Sequence, residues 1–98
     1  MDRISSLAYS TLCRDAKVIG QYSEGFGLIW GQMVTLWENT DEMTSLFWDY
    51  DVEYTVLMAS DGQLPLVAYK GGDLDEALKA YGETVARASQ ERKDRRAR

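Results

Sequence analysis

The sequence predicts a single α+β domain: an N-terminal helix, an antiparallel sheet of three or four strands and a C-terminal helix, stacked in two layers. Three observations carry this. Apolar residues recur at helical spacing near the start, a long run near the middle alternates with period two, and a capping sequence opens a second helical pattern near the end. With 98 residues, 45% of them hydrophobic, the chain has the apolar content to bury one core.

Ile4, Leu7, Ala8, Leu12 and Ala16 fall on one helical face, which places the first helix over residues 4–16. Residues 17–22 can extend that helix or form a strand; Gly20 and the following Ser23-Glu24-Gly25 favour a strand and turn. From Phe26 to Trp37 the chain is rich in aromatic and branched residues, with glycines that weaken a helix, and reads as a strand. Its apolar residues occupy both parities, so it is either covered on both faces or exposes one for binding.

Between Trp48 and Met58 the pattern is strictly alternating. Trp48, Tyr50, Val52, Tyr54, Val56 and Met58 form an inward set, while Asp49, Asp51, Glu53, Thr55 and Leu57 point outward. Ser60-Asp61-Gly62-Gln63 supplies a hairpin turn into a strand over 64–69, and Pro65, lacking an N–H, assigns that strand to a sheet edge. Asp73 followed by Glu76 is a capping arrangement for the last helix, with Leu74, Ala77, Leu78, Tyr81 and Val85 as its buried stripe. Residues 90–98 form a basic, solvated tail.

The net charge of −5 conceals segregation: residues 1–17 carry +1, residues 18–78 carry −10 and residues 79–98 carry +4. A field of one sign attracts a partner of the other, so the acidic middle selects a basic surface. There is no histidine, which excludes a Ser-His-Asp triad, a Cys-His pair and a histidine-based zinc site within these residues. Carboxylate or lysine chemistry and oxygen-only cation binding stay possible, but no motif for either is present, and no cofactor is expected. A lone Cys13 is expected in the core. No apolar run reaches membrane-spanning length and no secretory h-region develops, so a cytoplasmic protein is expected.

These features point to a non-enzymatic interaction module, an inhibitor or regulator whose acidic sheet face meets a basic groove of a nucleic-acid-handling complex. Alternate strand positions are spaced by roughly 6.5 to 7 Å, comparable to the phosphates along one DNA strand. Asp49, Asp51 and Glu53, with Glu38, Asp41, Glu42 and Asp61 in neighbouring turns, are the candidate contact residues. Trp37 is the candidate exposed aromatic anchor, whereas Trp48 is assigned to the core. The arginines of the tail lack interleaved aromatics and follow an acidic body, so direct nucleic-acid binding is not expected. In general character the chain is similar to phage-encoded inhibitors of host defence, including anti-CRISPR proteins and DNA mimics. The alternative is a homo-oligomeric assembly subunit joined through an edge strand, either the Pro65 strand or the two-sided strand around Ile29 and Met33.

Overall fold

The structure, a computed structural model, describes residues 2–24, 32–40, 52–60 and 62–96. Helix α1 (Ser6–Asp15) leads without a linker into β1 (Ala16–Glu24), followed by β2 (Gln32–Asn39), β3 (Tyr54–Ser60), β4 (Leu66–Gly71) and helix α2 (Leu74–Arg96). The strands form one antiparallel sheet in the order β1-β2-β3-β4, and the expected α+β order of helix, sheet and helix is borne out.

Local signals explain the helix boundaries. Ser5 caps α1 by accepting a hydrogen bond from Ala8 N (3.1 Å), and at the other end Ala16 N donates to the Leu12 carbonyl as the backbone becomes extended. Asp73 caps α2 by accepting from Glu76 N (3.1 Å), as the capping sequence predicts. Gly62 adopts φ 75°, the left-handed geometry for which glycine has no steric cost, in a turn closed by Gln63 N donating to Ser60 O (3.3 Å).

The helices cover opposite faces of the sheet, so the domain has a helical layer more than the two layers expected. On one face Ile4, Ala8 and Leu12 pack with Trp37, Val52 and Leu57. On the other, Ala77 and Ala88 pack with Val34, Leu36, Val56 and Met58, flanked by Tyr54, Tyr81 and Val85. Adjacent residues of a strand point to opposite faces, so Val56 and Leu57 belong to different cores. This alters the expected division of the middle strand. Thr55 and Leu57 are buried under the α1 side, and Val52 lies in the α1 core rather than with Tyr54, Val56 and Met58.

Other expectations change for the same reason. The α1 helix buries Ala8, Thr11 and Leu12 but leaves Leu7 and Cys13 exposed, because a short helix on a sheet presents only a narrow stripe. In α2 the buried line runs through Ala77, Thr84 and Ala88, while Leu74 and Leu78 are exposed. The small residues at the contact let α2 approach the sheet closely. Helix α2 also continues through Arg96, with Glu91 Oε2 accepting from Gln32 Nε2 (2.6 Å) to tie its later turns to β2.

Buried threonines separate into two kinds. Thr11 and Thr84 donate to carbonyls one turn back at 2.9 and 2.7 Å, and Thr35 accepts from Trp37 Nε1 at 2.7 Å. Thr55 is fully buried and its hydroxyl has no hydrogen-bond partner among the described residues. An unsatisfied buried hydroxyl costs about 1–3 kcal/mol. Thr55→Val should therefore raise stability in urea unfolding by up to about that amount. Leu12→Ala and Leu36→Ala, one in each core, should each lower it by about 2–5 kcal/mol.

Candidate functional site

Two of the expected acidic contact residues, Glu38 and Glu53, lie at the sheet end where β2 leaves and β3 begins. Glu38 lies in β2 opposite Tyr54 of β3 and Lys17 of β1. Glu53 immediately precedes β3 and its side chain is exposed. Asp41, Glu42, Asp49, Asp51 and Asp61 lie outside the described residues, as do Trp30 and Trp48. Of the carboxylate ladder expected on one strand, only Glu53 is placed, and the strand starts after it.

Three hydrogen bonds root this end. Asn39 N donates to the Glu53 carbonyl (2.9 Å), which joins the departing and returning chains. The Asn39 side-chain amide donates to the Val52 carbonyl. Thr40 Oγ1 donates to the Asp15 carbonyl (2.8 Å), linking the root to the last turn of α1. Arg14 and Asp15, adjacent on that turn, form a hydrogen-bonded ion pair at 3.0 Å. The connection between Glu38 and Glu53 thus begins and ends on neighbouring strands at a pinned base. Six carboxylates, Glu38, Asp41, Glu42, Asp49, Asp51 and Glu53, lie in that stretch without one lysine or arginine.

Electrostatics at the base agree with this placement. Partial burial raises the pKa of the Tyr54 hydroxyl, and the negative charges of Glu38 and Glu53 raise it further because a phenolate beside them would be repelled. Both carboxylates therefore act on one half-buried side chain.

Trp37 is not an exposed anchor. It is 8% exposed and sits in the core under α1, its indole N–H satisfied by Thr35. Its strand parity faces α1, and the sequence pattern of that strand alone does not say which side a distant helix covers. The exposed apolar side chains instead include Leu74 and Leu78, one turn apart on α2, and Val18 and Ile19 on β1.

Among the described residues no group of three potential metal-ligating side chains forms, and no helix is long and apolar enough to cross a membrane. Among the described residues one surface depression is lined by Ala68, Ala80, Glu83, Thr84 and Arg87 and another by Arg3, Ser5, Val67 and Lys70 among others. No family model, curated protein or solved structure matches this chain.

The position of Tyr54 between two carboxylates can be read by ultraviolet titration, using Tyr54→Phe to isolate its signal. The folded value lies above the ordinary 10.0, so the neutral phenol favours folding fully below that pH, and this contribution is lost as pH rises through the raised value. In the double variant Glu38→Gln/Glu53→Gln the Tyr54 ionisation should move to lower pH while staying above 10.0, because burial persists. An unmoved titration would place the carboxylates away from the ring.

Proposed function

We propose that the protein is a non-enzymatic protein-protein interaction module that inhibits or regulates a nucleic-acid-handling complex by offering its acidic end to a basic groove. This is the mode of action of DNA mimics and resembles that of phage-encoded inhibitors such as anti-CRISPR proteins. The observation that carries the reading is the run of six carboxylates from Glu38 to Glu53 without a basic residue, leaving and rejoining the sheet at one hydrogen-bonded base. The contact set is Glu38, Asp41, Glu42, Asp49, Asp51 and Glu53, with Asp61 assigned from the sequence alone.

The chemistry follows from charge density. A stretch of net charge −6 confined between two adjacent strands produces a strong local field, which raises the encounter rate with a cationic groove. Carboxylates also accept bidentate hydrogen bonds from arginine, the side chain that most often reads phosphate. The protein and a nucleic acid would then compete for the same surface. Trp37 contributes through packing beneath the site rather than by direct contact. A location in the cytoplasm goes with this reading.

Affinity capture from host-cell lysate tests the proposal. The protein should retain a basic nucleic-acid-binding partner at low salt, release it as ionic strength rises, and yield it to competing double-stranded DNA. A variant with all six carboxylates changed to Asn or Gln should fold and lose the partner. Equal retention by the neutralised variant, or indifference of the complex to both salt and DNA, would refute the acidic-groove model.

A further inference from the structure

The Pro65 edge expected to join subunits is occupied by the chain's own residues 2–4. Val67 N donates to the Asp2 carbonyl and Ile4 N to the Pro65 carbonyl, both at 2.8 Å, while Arg3 bridges to Leu66 and its guanidinium donates to the Leu64 carbonyl at 2.8 Å. The outer face of α2 is different. This helix buries Ala77, Thr84 and Ala88 against the sheet and turns away from it a row of every fourth residue, Leu74, Leu78, Gly82 and Ala86, all exposed. Residues four apart form a ridge along a helix, the feature that packs into the groove of another helix. Leu74 and Leu78, bulky and apolar, are 40% and 48% exposed, whereas a Cβ added at Gly82 would meet no atom within 4 Å. The ridge is therefore high in its first half and low in its second. Beside it runs a second exposed row, Asp75, Lys79, Glu83 and Arg87, whose charges alternate in sign. None of these four forms an ion pair among the described residues.

We infer that the outer face of α2 is a homodimer interface, in which the α2 helices of two copies lie antiparallel about a two-fold axis near residues 80–81. Both rows select this occupant and this direction, because each complements itself when reversed. Reversal seats Leu78 of one copy over Gly82 of the other and Leu74 over Ala86, so the high half of each ridge meets the low half of its mate. It also sets Asp75 against Arg87 and Lys79 against Glu83, opposite signs at every step. A parallel pair would set leucine on leucine, glycine on glycine and each charge against its own sign. The charges stand at the rim and fix register and direction, while covering the leucines supplies the attraction.

The same reversal keeps the acidic ends apart. Glu38 pairs with Tyr54 and Tyr54 with Gly71, which puts the acidic end of the sheet beside the start of α2. In an antiparallel pair the two helix starts fall at opposite ends of the interface, roughly 20 Å apart at about 1.5 Å per residue. That exceeds a Debye length of roughly 8–10 Å in physiological salt. A parallel pair would bring the two acidic ends side by side. The inference stands independently of the acidic-groove proposal, since it uses no carboxylate of that set.

One helix against one helix buries less than the roughly 1,200 Å² of a standard interface, so the dimer should be weak and concentration-dependent. Sedimentation velocity of the full chain over a concentration series tests it, with reductant present because Cys13 is exposed and a disulfide would also join two copies. The chain should pass from monomer to dimer. Leu78→Gln alters an exposed position, so thermal unfolding of the monomer should stay close to the parent while the dimer dissociation constant rises by about tenfold or more. Lys79→Glu sets glutamate against Glu83 of the second copy, and Glu83→Lys sets lysine against Lys79, so each variant alone should dimerise less. An equal mixture of those two variants should recover dimer, because both contacts of the mixed pair then carry opposite charge. A chain that stays monomeric throughout, a dimer indifferent to Leu78→Gln, or a mixture that associates no better than its components would overturn the inference. Should Leu78→Gln not fold, the mixing experiment decides alone.

Discussion

Burial of the sheet on both faces is the constraint on which the rest of this molecule depends. In β3 the five consecutive residues Thr55–Ala59 are all buried, and they alternate between a core under α1 and a core under α2. A strand with no solvent face cannot carry charge. β3 is accordingly uncharged from Tyr54 to Ser60, and the carboxylates of this region sit before its first residue.

Two small cores share the task that one large core would perform. The α1 core is built from Ile4, Ala8, Leu12, Trp37, Val52 and Leu57, and the α2 core relies on alanines at the helix contact with Val34, Leu36, Val56 and Met58 on the sheet. The sheet couples them, because β2 and β3 contribute alternate residues to each. A large cavity opened in either core therefore loosens the same pair of strands. The pinned base of the acidic connection belongs to those strands and to the end of α1, so its geometry is tied to both cores through Asn39, Thr40 and Val52.

The edges follow the same economy of placement. The segment before α1 must cross the sheet to reach the helix, and in doing so it supplies backbone partners to β4 beside Pro65. On the opposite side the chain passes directly from α1 into β1.

The sequence by itself determined the element order and much of the local chemistry. Asp73 and Glu76 specified the start of α2, Gly62 the turn and Pro65 the edge position of its strand, while the mixed parity of β2 left two-sided burial as one of two alternatives. These signals are local: each depends on backbone geometry within a few residues. The acidic run was equally legible as composition, and Glu38 and Glu53 do lie at one sheet end. Only the tertiary structure decided which faces are covered. Trp37 went into the core, Leu57 and Thr55 were buried instead of exposed, and Leu7, Cys13, Leu74 and Leu78 stayed outside, because α1 and α2 took opposite faces of the sheet. Periodicity tells which residues share a face, but it does not tell which helix, far along the chain, will lie against it.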